Sequence, residues 1–281
     1  MTISIIGLGL IGGSMAIDLR AKGFAHTLIG VDANAVHRTQ AIQLGLVDEV
    51  LPLEEAVAKA DIVIIAIPVD KGAEVLLQVL NVIKPNATVI DTGSTKASIC
   101  AKADTHTNRK QFVAAHPIAG TEYNGPQAAL KSLFTDKLNI ICEKEKSGEQ
   151  YLRQALELFD VLEMRTIYMN AEEHDRHLAF VSHLSHISSF TLGLTVLDIE
   201  ENEKNILQLA GSGFESTVRL AKSSPDMWAP ILSENGKNLS EALASYINIL
   251  GQFKQAIDTN NSVKLKDMMT RANDIKRVLK K

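Results

Sequence analysis

The first twelve residues carry the pattern that most constrains the fold of this chain. A β-rich run, Ile3–Ile6, leads directly into a Gly-x-Gly-x-x-Gly sequence formed by Gly7, Gly9 and Gly12. In this arrangement the first glycine makes a tight turn, the second lets a pyrophosphate approach the backbone, and the third lets helix and strand pack closely. The phosphates then lie at the N-terminus of the following helix. The pattern predicts a dinucleotide-binding α/β domain, and the alternative is a glycine-rich turn in an unrelated α/β fold. The predicted cofactor contacts in this turn are Gly7, Leu8, Gly9, Leu10, Ile11 and Gly12.

An acidic residue at the end of the second predicted strand supports the same interpretation. Asp32 follows Gly12 by 20 residues, where an acid accepts the hydroxyls of the adenosine ribose. A carboxylate there repels a 2′-phosphate, and the nearest basic group along the chain is Arg38, in the following helix. NAD is therefore favoured over NADP. Ile67 and Pro68 end another strand at the same edge and are expected to line the cleft, although Pro68 could equally be a simple strand terminator.

Strand-like and helical segments alternate up to about residue 168. Most of the strand-like segments are continuous apolar runs, as expected for parallel strands that are covered on both faces. The predicted strands are Ile3–Ile6, Leu28–Val31, Ile62–Ile67, Thr88–Asp91, Phe112–Ala114, Leu138–Ile141 and Arg165–Tyr168. The predicted crossover helices are Gly13–Lys22, Asn34–Leu44, Leu53–Lys59 and Lys71–Ile83. Residues 1–168 are therefore predicted to form a Rossmann-type, doubly wound and mostly parallel sheet.

The sequence changes character after Met169, because strand signals disappear. Asn170 is a plausible N-cap for one long helix that reaches about Leu197, and its side chains are apolar nearly all round, which predicts burial on most sides. The helices predicted after it are Asn202–Leu209, Ser216–Ala221, Trp228–Glu234 and Asn238–Asp258. Residues 169–281 are thus predicted to form an all-α domain. Because a buried helix in so small a domain needs cover from outside, we expect a homodimer through this region.

Charge and cysteine content exclude several classes of partner. The net charge is −4 and the chain contains two cysteines, so a nucleic acid or an anionic membrane is not expected as the main partner. Cys100 and Cys142 are far apart, which argues against a disulfide framework and fits a reducing compartment. The opening Met1–Leu19 lacks a basic n-region, and the apolar run Ile62–Val69 is too short to span a bilayer. We therefore expect a cytoplasmic protein with no membrane partner.

A histidine after the strand Phe112–Ala114 indicates the chemistry. The segment His116–Glu122 holds a titratable imidazole beside a proline and a glycine, and a histidine at the ligand edge of a dinucleotide domain suits hydride transfer from an alcohol. The segment Asp91–Lys96 follows a neighbouring strand and is expected at the same edge. The pairs His174/His177 and His183/His186 have metal-compatible spacing, but no third ligand is evident and the first pair is expected at an exposed helix start. We therefore expect no metal.

Taken in order, these segments resemble the prephenate/arogenate dehydrogenase family of tyrosine biosynthesis. The resemblance covers nearly the whole chain, from the glycine turn through Gly93-Ser94-Thr95-Lys96, His116–Glu122, Ser182-His183-Leu184-x-His186 and Gly213-Phe214-x-x-x-x-Arg219-x-Ala221 to Met227-Trp228. Two positions depart from the family pattern. Ser185 stands where proline is usual, and Val218 stands where threonine usually precedes the arginine. Neither departure removes a charged or titratable group.

The resemblance implies an oxidative decarboxylation of a cyclohexadienol, with hydride transfer to NAD. It gives His116 the role of proton acceptor for the ring hydroxyl, which requires a neutral imidazole. Ser94 is expected to hydrogen-bond that hydroxyl or to orient His116.

The same resemblance implies a set of substrate contacts. Arg219 is expected to hold a substrate carboxylate, His186 to contact substrate from the long helix, and Glu122 to gate or order its loop. Lys96 completes the set. The structural alternatives are an ion pair with an acid for Arg219 and a satisfied core histidine for His186, and Met227 and Trp228 are expected to serve in packing.

Several alternatives stay open on the sequence alone. Prephenate is the favoured substrate and arogenate the alternative, because the two differ only by a keto or an amino group on the side chain. A 3-hydroxyacid dehydrogenase or imine reductase, or a non-catalytic NAD(H)-binding protein, are further alternatives. No appended regulatory or chorismate mutase domain is expected after Lys281.

Overall fold

A mostly parallel sheet forms the N-terminal part of the molecule, and helices form the rest. The computed structural model describes residues 1–200, 203 and 205–278. Eight strands are found within this part of the chain: β1 (Thr2–Ile6), β2 (Thr27–Val31), β3 (Glu49–Val50), β4 (Ile62–Ile65), β5 (Thr88–Asp91), β6 (Phe112–Pro117), β7 (Leu138–Cys142) and β8 (Arg165–Met169). They lie in the order β3-β2-β1-β4-β5-β6-β7-β8. Every neighbouring pair is parallel except β6 and β7, which are antiparallel.

Helices cover the sheet on both faces, as its continuous apolar strands require. They are α1 (Leu10–Ala21), α2 (Ala35–Gln43), α3 (Leu53–Lys59), α4 (Val69–Val82), α5 (Ala97–Ala103) and α6 (Glu149–Val161). One core cluster joins β1 residues such as Ile5 to Leu19 of α1 and Phe159 of α6. The second cluster joins β4 and β5 to Leu76 of α4 and Ile99 of α5. The doubly wound α/β class predicted from the sequence is confirmed.

The predicted elements differ from the structure mainly where local signals are short. The two-residue strand β3 and the helices α5 and α6 were not predicted, and α1 begins at Leu10 rather than Gly13. Strand β6 continues to Pro117, because it pairs with β7 from Ala114 through Pro117. His116 therefore lies in a strand and not in a loop, which fixes its backbone more firmly than predicted.

The second part of the described chain is helical, as predicted. Its helices are α7 (Ala171–Leu178), α8 (Leu184–Glu200), α9 (Ser212–Val218), α10 (Pro225–Glu234), α11 (Gly236–Asp258) and α12 (Ser262–Ala272). A π-helical turn, Ala179–His183, joins α7 to α8. The predicted helix Asn202–Leu209 begins outside the described residues, and its end, Ile206–Leu209, is a 3₁₀ turn.

The long first helix of this domain is interrupted, and one subunit covers it only in part. The π-helical turn interrupts it, and much of its apolar surface is exposed within the subunit rather than buried, with Val181 at 73% and Leu194 at 62%. By length and composition alone, the helical segment Ala171–Glu200 could cross a membrane, and only 11% of its most apolar window is buried. One subunit therefore covers only part of this helix, and the predicted burial on most sides, which included cover by a partner subunit, stays a prediction.

Candidate active site

A cleft of about 900 Å³ lies at the carboxyl ends of β1, β2 and β4. The residues predicted to contact the cofactor that line it are Gly7, Gly9, Asp32, Ile67 and Pro68. Leu8 does not face the cleft, because its side chain is fully buried in the core beneath the turn. Leu10 and Ile11 form the first turn of α1, where both are half-buried. Pro68 lines the cleft and immediately precedes α4, but it does not terminate the strand, because β4 ends at Ile65 rather than at the predicted Ile67.

The glycine turn has the shape that a dinucleotide pyrophosphate needs. Gly7 has φ +96, and a Cβ there would come within 2.2 Å of the Ala66 carbonyl oxygen. A Cβ on Gly12 would come within 2.0 Å of the Gly7 carbonyl oxygen, so the turn can close only with glycine at both positions. A Cβ on Gly9 would meet nothing within 4 Å, which leaves open space in front of the α1 N-terminus. The turn therefore fits a pyrophosphate at this helix end.

The Asp32 carboxylate is held in place by the backbone of the same motif. Its Oδ2 accepts a hydrogen bond from the Leu8 N–H at 2.9 Å, and its Oδ1 accepts one from the Asn34 N–H at 2.8 Å. His37 Nδ1 lies 3.5 Å from Oδ2, so His37 and not Arg38 is the basic group nearest to the carboxylate. Arg38 also lines the cleft and donates to the Asp32 carbonyl at 2.8 Å.

A chain of three buried side chains lies beyond the cleft, at the same edge of the sheet. His116 Nδ1 is 2.8 Å from His174 Nε2, and His174 Nδ1 is 2.7 Å from Asp175 Oδ1. A carboxylate only accepts, so the His174 ring carries its proton on Nδ1 and its Nε2 accepts from His116 Nδ1–H. This assignment leaves His116 Nε2 as an unprotonated acceptor.

Burial keeps both imidazoles of this hydrogen-bonded triad neutral, as the assignment requires. The side chain of His116 is 8% exposed, and its burial, the neighbouring His174 ring and the Lys96 charge lower its pKa well below 6.5. Burial also lowers the pKa of His174, against the opposing effect of Asp175. Burial raises the pKa of Asp175, but hydrogen bonds from His174 and two backbone N–H groups outweigh it and lower that pKa overall. Two neutral imidazoles beside one carboxylate are therefore expected at neutral pH.

Asp175 also joins the helical domain to the sheet. Its carboxylate accepts hydrogen bonds from the Lys96 N–H at 2.8 Å and the Ala97 N–H at 2.9 Å, at the start of α5. Asn235 donates to the Asp175 carbonyl at 2.6 Å and lies 3.1 Å from His183 Nδ1. The position of His174 is thus fixed from both domains.

Sequence reasoning missed His174 and Asp175, and it placed His174 wrongly. His174 was expected at an exposed helix start, but its side chain is fully buried. A signal was present, because the buried residues of α7 are Ala171, His174, Asp175 and Leu178, which follow the i, i+3, i+4, i+7 spacing of one helix face. That spacing assigns both polar residues to the inner face.

Two of the predicted substrate residues contact each other. Arg219 Nη1 lies 3.6 Å from Glu122 Oε2. The Arg219 side chain is 53% exposed and the Glu122 side chain 23%. Arg219 thus forms an ion pair with an acid, which was the structural alternative for this residue, while much of its side chain stays accessible.

The ring of His186 stacks on Trp228, with 3.4 Å between the ring centroids. Its Nδ1 lies 3.1 Å from the Ser182 carbonyl oxygen, so Nδ1 carries the proton and Nε2 is the acceptor. The buried Trp228 Nε1 has no hydrogen-bond partner among the described residues. Trp228 therefore packs as predicted and also holds the His186 ring.

Lys96 and Ser94 do not have all the roles predicted for them. The Lys96 side chain is fully buried and its ammonium contacts the Asp91 carboxylate, so it does not face a cleft as a substrate contact would. A buried ammonium needs a counterion, and Asp91 provides it.

Ser94 is half-buried, and the group that orients His116 is His174 rather than Ser94. Within the described residues no group of three or more potential metal ligands comes together.

The cleft and the buried neutral imidazole define a class of protein, a two-domain nucleotide-dependent dehydrogenase. The family model for the nucleotide-binding domain of prephenate dehydrogenase matches residues 15–168, and that for its dimerization domain matches residues 170–271. The chain belongs to the prephenate dehydrogenase family, and the family predicted from the motifs is confirmed.

Individual relatives agree with this assignment. The chain is 32% identical to the cyclohexadienyl dehydrogenase of Zymomonas mobilis, over 91% of this chain and 88% of that protein. Its fold matches the crystal structure of Aquifex aeolicus prephenate dehydrogenase in complex with hydroxyphenyl propionate and NAD⁺, with a TM-score of 0.89 and 30% identity over 99% of this chain and 97% of that one. Synechocystis arogenate dehydrogenase matches with a TM-score of 0.78 and 28% identity, over 99% of this chain and 100% of that one. The nucleotide-binding model and the NAD⁺ complex support NAD as the cofactor.

Proposed function

We propose that the protein catalyses the NAD-dependent oxidative decarboxylation of prephenate to 4-hydroxyphenylpyruvate. The observation that carries this proposal is the orientation of His116, whose Nδ1 is bound to His174 and whose Nε2 is free to accept a proton. NAD held in the cleft by the glycine turn and Asp32 would supply the acceptor for the hydride that leaves the carbon bearing the ring hydroxyl. The hydroxyl proton passes to His116 Nε2 as the ring carbonyl forms. The ring carboxylate then leaves as carbon dioxide, its electron pair makes the ring aromatic, and the ring oxygen takes the proton back from His116 as the phenol forms.

The residues behind His116 stabilise the charge that this step creates. When Nε2 accepts the proton, His116 becomes a cation whose Nδ1–H still donates to His174. The Asp175 carboxylate compensates that charge through the His174 ring. Because all three groups are buried and already oriented, little reorganisation is needed as the proton moves.

The exposed Arg219–Glu122 pair supports recognition of a carboxylate. At 3.6 Å and with half of Arg219 exposed, the pair is weak, so a substrate carboxylate can compete with Glu122. The forked guanidinium can then hold that carboxylate through two hydrogen bonds. His186 Nε2 and the Ser94 hydroxyl are the further polar groups that we assign to the substrate, with Ser94 on the ring hydroxyl.

Arogenate is the second candidate substrate, and Glu122 is the observation that favours it. An acid beside Arg219 could pair with the side-chain amino group that distinguishes arogenate from prephenate. Prephenate is preferred because both family models that match the chain are those of prephenate dehydrogenase.

We also propose that two copies associate through the helical domain in the cytoplasm. The apolar side chains that α8 and α11 leave exposed include Leu194, Leu197, Ile247 and Leu250, and the matching family model describes this region as a dimerization domain. A second copy, rather than lipid, would then cover the segment Ala171–Glu200. Light scattering on the purified protein should give twice the subunit mass. A monomer that partitions into vesicles would contradict the proposal.

The function is tested by following nicotinamide absorbance with prephenate and arogenate supplied separately, each with NAD and with NADP. Rapid NAD reduction with prephenate and slow reduction with arogenate would support the proposal. The reverse preference would move the assignment to arogenate. No turnover of either substrate by protein that still binds NAD would exclude both and favour a non-catalytic NAD(H)-binding role.

A further inference from the structure

The Asp91 carboxylate contacts the two backbone segments that carry the proposed catalytic residues. Its Oδ1 accepts a hydrogen bond from the Ala115 N–H at 3.2 Å, directly before His116. Its Oδ2 accepts one from the Gly93 N–H at 3.1 Å, directly before Ser94. One side chain therefore sets the spacing between the ends of β5 and β6.

Lys96 makes this arrangement possible. Its ammonium contacts Asp91 Oδ2, and both side chains are buried, Lys96 at 0% and Asp91 at 2% exposure. Burial of the carboxylate raises the pKa of Asp91, whereas Lys96 and the two N–H donors oppose that effect. A Cβ at Gly93 would lie 3.2 Å from Asp91 Oδ2 and 3.5 Å from Lys96 Nζ, so a residue without a side chain suits this position.

We propose that Asp91 is a positioning residue that holds His116 and Ser94 in register, and that Lys96 acts through Asp91 rather than on the substrate. The inference rests on the proposed function. Because Asp91 is buried and bonded to a counterion and two backbone N–H groups, it holds these segments more rigidly than an unsupported loop would be held. Such firm placement matters because a shift of a catalytic group by about 1 Å can cost about 10²-fold in rate.

The pair also controls the charge around His116. The charged and titratable groups that act on His116 are His174 of α7, Lys96 beside α5 and His183 of the π-helical turn. Asp91 of β5 lies behind them, in contact with Lys96 and the Ala115 N–H, and Asp175 lies behind His174. Lys96 lowers the pKa of His116, and Asp91 offsets that cation. Removing the Asp91 charge should therefore lower the pKa of His116, and removing the Lys96 charge should raise it.

The experiment compares Asp91→Asn, Lys96→Met and the double variant with the wild-type protein. We would measure kcat and KM for substrate and for NAD across pH, and follow the His116 imidazole by NMR titration, using His116→Asn to assign its signal. Asp18→Asn is the matched control, because Asp18 is equally buried and accepts from the Ser132 N–H at 2.9 Å in another part of the domain.

Asp91→Asn should lower kcat by about 10- to 100-fold with little change in either KM. The fall of kcat/KM on the acid side of its pH profile (the acid limb) should occur at a lower pH than in the wild type, because the unopposed charge of Lys96 lowers the pKa of His116 further. Lys96→Met should move that acid limb to higher pH without raising the substrate KM. The double variant, which leaves no unpaired buried charge, should bring the limb back towards the wild-type position.

Three results would overturn the inference. They are wild-type kcat and pH profile in Asp91→Asn, acid limbs that move in the same direction in both single variants, and a large rise in substrate KM in Lys96→Met with an unmoved limb. If the wild-type protein turned over neither substrate, the proposed function would fail by itself. The NMR titration would then decide the inference, because opposite shifts of the His116 signal do not depend on turnover.

Discussion

The cofactor cleft and the histidine cluster lie at the same edge of one sheet but are built in different ways. The nucleotide-binding turn of the cleft is made by backbone groups and residues close in sequence, since the hydrogen bond from the Leu8 N–H to the Asp32 carboxylate joins residues 24 apart. The cluster is made by side chains from distant elements, since His116 and His174 are 58 residues apart. One site is encoded by a local motif, and the other exists only once the two domains have packed.

The two regions also differ in how they treat charge. Asp32 borders an open cleft, and its carboxylate is stabilised by two nearby N–H groups. His116 is enclosed, and burial suppresses its cationic form. The open region therefore selects a ligand by complementarity, whereas the buried region fixes a protonation state. Substitutions in the cluster should change turnover, and substitutions in the cleft should change which cofactor binds.

The largest effect is expected for His116→Asn in the buried cluster. Asparagine can still bond to His174 but cannot accept the substrate proton, so kcat should fall by roughly 10²–10⁴-fold with a modest change in KM. In the wild-type protein, the depressed pKa of His116 keeps its base form present as the pH falls, so kcat/KM should hold its plateau below pH 6.5. Steady-state kinetics across pH check both points. Near-normal turnover by a folded variant would remove His116 from the acceptor role.

A smaller loss of turnover is expected for Asp175→Asn. The amide cannot hold the proton of His174 on Nδ1 as a carboxylate does, so His116 should lose its fixed orientation and kcat should fall by about 10²-fold. Since Asp175 also accepts from the start of α5, thermal stability should be measured on the same sample. Asn235→Ala is the control, because it removes a bond to the Asp175 backbone while leaving the carboxylate intact. Equal losses of kcat in both variants would show that packing, rather than the carboxylate, matters.

The contrast between the two regions explains how far the sequence could predict them. Strand β1, the glycine turn and Asp32 follow one another with fixed spacing, so the fold class and the cleft could be predicted without any distant contact. His116 was singled out by its neighbours in sequence, but its partner was not, because the partner comes from a helix whose inner face shows only as the spacing of Ala171, His174 and Leu178. The ion pair of Lys96 with Asp91 was also not predicted, although the two residues are only 5 apart, because their burial comes from the elements packed around this segment.

Arg219→Gln tests the exposed ion pair of Arg219 and Glu122, which belongs to neither region. The variant loses the forked charge proposed to hold a substrate carboxylate, so the substrate KM should rise by about 10- to 100-fold, as expected for a hydrogen bond to a charged group, while kcat changes less. Glu122→Gln is the matched control, because it breaks the ion pair and leaves Arg219 free, so it should not raise the KM for prephenate. A collapse of NAD binding in Arg219→Gln with an unchanged substrate KM would assign the arginine to the cofactor instead.

The smallest effect is expected in the cofactor cleft, from Asp32→Ser. Serine keeps a hydroxyl for the ribose but removes the negative charge that repels a 2′-phosphate, so NAD should weaken several-fold and the NAD/NADP preference should narrow by about tenfold. His37 and Arg38 then become decisive, since both line the cleft beside Asp32 and could attract the phosphate once the carboxylate is gone. Ratios of kcat/KM for the two cofactors measure the change, and adding His37→Gln to the serine variant should restore part of the preference for NAD. An unchanged ratio in Asp32→Ser would show that the cofactor is selected elsewhere in the cleft, and that its charge matters less than the backbone shape of the glycine turn.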